Sequence, residues 1–423
     1  MCKFKKAIAV MLSAVMMLTA GSMPITVNAA TVESSSVAST ITGTYNDFSY
    51  SLTDKKVTIT GYTGTETEIE IPSEINGCPV TSIGDSAFKN SAVTNVLIPD
   101  TVDYIGRNAF ASSKIEKIVI PDSVVYIDKS VFYECDYLTD VTLSKNISSI
   151  EESTFDGCES LTNIKIPKGV AYIDDYAFYS CGLESIIIPD GVVSLGYGAF
   201  QNNKNLTNIE ISNSVIEIGA CAFYRCESLT EFTFPDNIEV LSRSVLGGCN
   251  NIQKVKLPDN LLYIEYGAIS GCNSLTDLVI PNKVTTIEFE AFLNCTNLKR
   301  ITLPKSLTKI GSHAFGYTSK TLYNSDGIAY DVAYYKIEGL TIYSYSASYA
   351  SAYAKKEGIN YVQVSPGDID LDSDLTILDV TLMQRYCATD VELNDTQLNL
   401  ADVDKNDSVD INDATAIQRL LVE

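Results

Sequence analysis

The residues best suited to chemistry stand near the C-terminus. Asp368-x-Asp370-x-Asp372-Ser373-Asp374-Leu375-Thr376-x-x-Asp379 sets oxygen-bearing side chains at alternate positions of a twelve-residue stretch and again at its end. Asp402-x-Asp404-x-Asn406-Asp407-Ser408-Val409-Asp410-x-x-Asp413 repeats that spacing further on. Carboxylates this close repel one another unless a positive charge sits between them. Calcium takes six to eight oxygen ligands, and alternate residues of a tight loop converge on one ion. The expected chemistry is therefore the binding of two calcium ions, one in each stretch. The expected ligands are Asp368, Asp370, Asp372, Asp374, Thr376 and Asp379, then Asp402, Asp404, Asn406, Ser408, Asp410 and Asp413. Asp374 and Ser408 would ligate through their carbonyls, and Thr376 and Asp410 fall where a water often intervenes.

Such loops need elements to hold them. The spacing is that of the EF-hand loop, with an apolar residue, Leu375 or Val409, at position 8. Position 6 favours glycine for a left-handed bend but holds Ser373 and Asp407, of which Asp tolerates the bend better. Position 12 is Asp in both loops, where the EF-hand usually has Glu. Helices are predicted after each loop, over Asp379–Tyr386 and Asp413–Leu420, each with Gln-Arg at the same phase. Ser365-Pro366-Gly367 precludes a helix before the first loop. From Pro366 onward the chain has fourteen acids and three bases, yet a merely solvated acidic tail would not keep this register twice.

These two loop–helix copies resemble a type I dockerin, from Gly367 to Glu423. The resemblance implies a small all-α module, two calcium ions and a cohesin domain of a scaffold protein as partner. It also implies that positions 10 and 11 and the following helix make the contact. Those residues are Ile377, Leu378, Gln384 and Arg385 in one copy, and Ile411, Asn412, Gln418 and Arg419 in the other. Many dockerins have Ser or Thr at positions 10 and 11, so Ile377, Leu378 and Ile411 are a departure.

Upstream, the chain repeats itself. Ile-Pro or a near copy recurs from Ile71-Pro72 to Leu303-Pro304, at intervals of 22 or 23 residues after a first of 27. Ala-Phe keeps the same beat from Ala87-Phe88 to Ala314-Phe315, giving eleven copies with the degenerate ones. Leu161-Thr-Asn-Ile164-Lys-Ile166-Pro167 shows the pattern. Ile164 and Ile166 point to one side of a strand, and Pro167 ends it because it has no N–H to donate. Val170-x-x-Ile173 supplies a second short extended piece, and Phe178 drops a ring into the interior. No single unit can bury that face, whereas stacked units bury a continuous core around a parallel sheet with strands about 4.8 Å apart. Cysteines 135, 158, 181, 226, 249, 272 and 295 form a column three residues after the Phe position, with Asn203 in one copy. They read as a ladder of buried thiols, each serving as a small hydrophobe.

This beat resembles the BspA-like class of bacterial leucine-rich repeats over roughly Thr65 to Tyr317. The resemblance implies a β-rich, right-handed solenoid used on bacterial surfaces or in secretions for adhesion or protein contact, and not an enzyme. A parallel β-helix is the alternative fold, against which the regular L-x-x-L-x-L phase speaks. The concave strand face would carry Lys165, Lys254, Lys256 and Arg300, the last three a basic patch on an acidic protein.

The remaining segments complete the plan. Lys3, Lys5 and Lys6, an apolar run and Val27-Asn28-Ala29 read as a signal peptide over 1–29, implying a secreted protein. Residues 30–44 read as a linker, 45–64 as a hairpin cap, 65–317 as repeats, 318–364 as a second cap and 365–423 as the dockerin. The second cap should contain a strand at Leu340–Tyr343, a helix over Ser346–Lys356 stopped by Gly358, and a last strand. The net charge of −23 speaks against nucleic acid, and no second long apolar segment speaks for a membrane span. One histidine, His313, offers no catalytic set and reads as a surface residue. The function expected is a non-catalytic adhesion protein attached through cohesin to a cellulosome-type complex, its repeats presenting a face to an unknown protein or polysaccharide. The alternative is a carbohydrate-binding or polysaccharide-degrading component of such a complex. Twenty-five tyrosines without a tryptophan weaken the sugar-binding alternative.

Overall fold

One phenylalanine per coil builds the spine of the repeats. In the computed structural model, which describes residues 40–323, 328–406 and 408–422, Phe88, Phe110, Phe132, Phe155, Phe178, Phe200 and Phe223 are fully buried. Their rings stack face to face at 5.1 to 5.6 Å between centroids. Leu246 and Ile269 continue the column as aliphatic side chains, and Phe292 and Phe315 resume it at 5.0 Å. The expected signal peptide, the linker up to Ser39 and Asp407 lie outside the described residues.

Two parallel ladders flank this spine. The longer joins Glu68–Glu70, Asn95–Leu97, Lys117–Val119 and Asp140–Thr142, and later Asp277–Val279 with Arg300–Leu303. Central residues such as Val96, Ile118 and Ile301 are buried, while their neighbours on either side face outward. The shorter ladder uses pairs such as Tyr172–Ile173 and Ser194–Leu195, one per coil. The stretch Leu161–Pro167 is an exception to the strand prediction. Ile164 and Ile166 are buried as expected, but no strand forms there. The apolar spacing specifies burial of side chains; it does not require ladder hydrogen bonds.

The tight turns depend on backbone geometry that the apolar pattern does not reveal. The residue before each Ala of the Ala-Phe phase, from Ser86 to His313, has a φ between 52° and 60°. A second left-handed column lies two residues after the Phe, at Asn90, Ser112, Glu134, Gly157 and onward to Asn294. Short polar residues and glycine dominate both columns, as that region of φ favours. His313 is one of these turn residues. It is half-buried, contrary to its reading as a surface residue, because the ring of Tyr334 stacks on it at 3.9 Å.

The caps hold two additions. β1 (Ile41–Tyr45), β2 (Phe48–Thr53) and β3 (Lys56–Tyr62) form an antiparallel meander whose last strand pairs in parallel with Cys78–Ile83. Asp54 and Lys55 are both left-handed, as a two-residue hairpin turn requires. β1 takes up the end of the expected linker, since it supplies β2 with a hydrogen-bonding partner. At the other end Thr341–Ser344 extends the longer ladder from Arg300–Leu303, and Asn360–Gln363 follows it. Between them runs α1 (Tyr349–Glu357), capped by Ser348 and stopped by left-handed Gly358. The unforeseen piece is a hairpin, Tyr317–Tyr323 with Ala329–Lys336, which takes up the first part of the expected second cap.

Beyond the cap come α2 (Ile377–Cys387), α3 (Asp395–Ala401) and α4 (Ile411–Leu420). α2 and α4 are the two expected helices, and α3 is additional. Ile369, Val380, Met383, Ala401, Ala414 and Ile417 form their core, with Leu375 and Val409 packed against it.

Candidate functional site

Each loop ends on a carboxylate that organises its start. The Asp379 Oδ1 atom accepts from the N–H of Ile369 at 2.6 Å and of Asp370 at 3.1 Å, and its Oδ2 accepts from Thr376 N–H at 2.8 Å. Asp413 does the same for Val403, Asp404 and Asp410 at 2.8, 3.2 and 3.0 Å. Asp at position 12 thus closes the loop and, as the third residue of α2 or α4, completes a capping box with Thr376 or Asp410. Both cap residues direct their side chains to the backbone of the helix that follows: Thr376 accepts from Leu378 N–H and Asp410 from Asn412 N–H.

Three carboxylates converge in each loop. Oxygens of Asp368, Asp370 and Asp372 lie within 4.8 Å of one another, as do those of Asp402, Asp404 and Asp413. The bend at Ser373 is left-handed, with φ of 77°, as position 6 demands. Leu371 and Lys405, both at position 4, are left-handed too. Asp374 is exposed, and its N–H donates to Asp372; Ser408 N–H likewise donates to Asn406.

Asp368 is the most informative group. It is fully buried, and neither carboxylate oxygen has a hydrogen-bond partner. Burial, aided by the charges of Asp379, Asp370 and Asp372, pushes its pKa up to about 6. An unpaired buried carboxylate is costly unless it is neutralised or meets a cation. The donors around it are oxygens alone, the set that suits a hard ion such as calcium.

The residues inferred for partner contact are all exposed on α2 and α4. Ile377, Leu378 and Ile411 are 62 %, 60 % and 55 % exposed. Gln384, Arg385, Asn412, Gln418 and Arg419 are exposed as well. Arg385 donates to Asp390 at 2.8 Å. α2 and α4 each present the same set of positions.

The expected basic patch on the repeats is divided. Lys254 and Lys256 stand exposed on the longer ladder, and Lys165 is exposed in the coil that lacks a strand. Arg300 instead pairs with Asp277, its Nε 2.6 Å from Oδ2. The other oxygen of Asp277 accepts from Thr396 of α3 at 3.2 Å, and Thr396 accepts from Thr302 at 2.8 Å. The helical module therefore rests on the final coils. Sequence reasoning missed this contact along with α3. Asn394-Asp-Thr-Gln397, a capping box ahead of Leu398 and Leu400, was the available signal.

Comparison with known proteins bears on the repeats. The family model of the BspA-type leucine-rich repeat region matches residues 81–206 and 193–322, in six copies. The chain belongs to this family. A leucine-rich repeat protein from Bacteroides ovatus is 21 % identical; the match covers 76 % of this chain and 100 % of that one, with a TM-score of 0.52, and shows a shared fold. A leucine-rich cell surface protein from Faecalibacterium prausnitzii is 26 % identical over 75 % of this chain and 97 % of its own, with a TM-score of 0.43. A pneumococcal vaccine antigen is 15 % identical over 78 % and 99 %, with a TM-score of 0.44. A search of curated proteins returned no match. Among the described residues no helix is long and apolar enough to cross a membrane.

Proposed function

We propose that this chain is a secreted, non-catalytic binding protein whose BspA-type repeats present a surface for adhesion. In this reading, its C-terminal module is a dockerin that holds two calcium ions and attaches the repeats to a cohesin-bearing scaffold. The observation that carries the calcium assignment is Asp368, buried with both oxygens unpartnered at position 1 of a loop whose spacing recurs at Asp402. Asp368, Asp370, Asp372 and Asp379 would hold one ion with the carbonyl of Asp374. Asp402, Asp404, Asn406 and Asp413 would hold the other with the carbonyl of Ser408. Thr376 and Asp410 serve chiefly as helix caps and would reach an ion through water.

The duplicated exposed set on α2 and α4 supports attachment, since either helix could meet the same socket. Titration of the whole mature chain against a panel of cohesins, with calcium present, tests this. Replacing Gln384 and Arg385 by Ala should weaken binding little, and so should the same change at Gln418 and Arg419, while all four together should abolish it. If calcium binds but no cohesin does, the metal assignment stands and the attachment role fails.

A further inference from the structure

The outward column of the longer ladder exposes Thr142 and Thr233, whereas Thr302 at the same phase is only 3 % exposed. What covers it is α3, whose Thr396 is wholly buried between Thr302 and Asp277. The chain Arg300 to Asp277 to Thr396 to Thr302 leaves each of these polar side chains partnered across the junction. Asp395, next in line on α3, faces the charges of Asp277, Lys254 and Arg300.

The other side of α3 is clasped by both acidic loops. Gly367 N–H donates to Leu400 O at 2.9 Å, and the Gln397 side chain donates to Ile369 O at 2.8 Å, bracketing Asp368 from either side. The C-cap of α3 is Asp402, the first residue of the second loop. The first loop is also tied to the last ladder strand, since Ser373 Oγ donates to Gln363 O at 2.8 Å. A change in the shape of either loop must therefore reach α3, and through Thr396 the face of the last coils.

We infer that calcium loading of the two loops holds α3 on the strand face around Asp277, Arg300 and Thr302, closing that end of the face to outside ligands. The inference rests on the calcium assignment above. Without the ion, repulsion among the loop carboxylates loosens the clasp, and α3 departs with it. An outside ligand for this patch would have to bind the chain in competition with its own helix, so calcium would weaken such a ligand.

Hydrogen exchange on the whole mature chain, with calcium and after chelation, tests this alongside calorimetric titration with calcium alone. Amides of Asp277–Val279 and Arg300–Leu303 should exchange about tenfold faster or more after chelation, while those of Lys117–Val119 hold steady. If calcium binds and the amides of the last coils do not respond, the inference is overturned while the metal assignment survives. If calcium does not bind, both fall. Thr396→Arg, too large for its buried site, should expose the same amides with calcium still bound. Thr396→Val keeps the shape, removes both hydrogen bonds and should give a smaller change in the same amides. An unchanged pattern in both variants also overturns the inference.

Discussion

The repeats and the C-terminal module solve the same problem of buried polarity in opposite ways. In the repeats, each thiol of the cysteine column donates to the carbonyl of the Phe position one coil back: Cys158 to Phe132 O at 3.1 Å, Cys249 to Phe223 O at 3.2 Å. Each coil thus satisfies its neighbour, and stability accumulates coil by coil. The module has a core of only a few apolar side chains and buries Asp368 without any partner from the chain. The repeats leave a few neutral atoms unpartnered, such as Ser91 Oγ and Asn203 Oδ1, and fold unaided at that small cost, whereas a buried carboxylate with both oxygens open calls for something to neutralise it.

The sharpest way to break this comparison is to remove calcium. Chelation should abolish the helical signal of α2, α3 and α4 and leave the β signal of the repeats in place. Far-UV circular dichroism and two-step melting would show it; a single transition insensitive to EDTA would count against the contrast. Asp368→Ala combined with Asp402→Ala should reproduce the effect in calcium.

Within the repeats the largest loss should come from the spine. Phe178 is fully buried, its ring 5.2 Å from both Phe155 and Phe200. Phe178→Ala should cost about 3–5 kcal/mol through lost burial and the cavity left behind. Denaturant melts would measure it, and exchange should quicken in adjacent coils before the module. A loss under about 1 kcal/mol would mean that the stack contributes little.

The thiols offer a milder probe with a definite sign. Burial pushes Cys135 up to about 11 and Cys249 and Cys295 up to about 12, from an ordinary value near 9, and raises Cys158 well above that ordinary value as well. A thiol whose folded pKa is raised contributes its full stability below pH 9 and loses it as pH climbs toward the folded value, because only the unfolded chain ionises there. Each such thiol should steepen the loss by up to about 1.4 kcal/mol per pH unit. Cys158→Ala should therefore flatten the fall of stability between pH 9 and 11. An unaltered slope would mean that the thiol is accessible. All ten described cysteines are free, so thiol counting on denatured, unreduced protein should find them reactive.

How much was legible in the sequence follows from how each feature is encoded. Phe178, Ile173 and the cysteine column announce themselves by period, because burial repeats with the coil. Asp368 and Asp402 announce the loops by spacing, since alternate residues of a tight turn bring their carboxylates together, as they do here. The left-handed turns at Tyr176 and Cys221 do not, since φ there is imposed by the coil on whatever residue stands in that place. The hairpin at Tyr317–Tyr323 breaks the period, and the docking of Thr396 onto Asp277 joins residues far apart in the chain. Threonine at either end of such a contact looks like any surface threonine until the partner is placed.

The finest test of the repeats concerns Asn203, which occupies the cysteine phase in one coil. Its side-chain amide donates to Phe178 O at 2.7 Å and to Phe200 O at 2.8 Å, two bonds where a thiol makes one to the coil behind. The cost of that choice is Asn203 Oδ1, buried without a partner. Asn203→Cys removes the orphan acceptor and restores a weak donor to Phe178 O, so gain and loss oppose each other and the net should lie within about 1 kcal/mol. Asn203→Ala removes both donors, leaves a void and should destabilise by about 1–3 kcal/mol. Paired denaturant melts decide the matter. If Ala and Cys prove equal, the column needs only small side chains, and hydrogen bonding to the coil behind contributes nothing measurable to the stacking of the repeats.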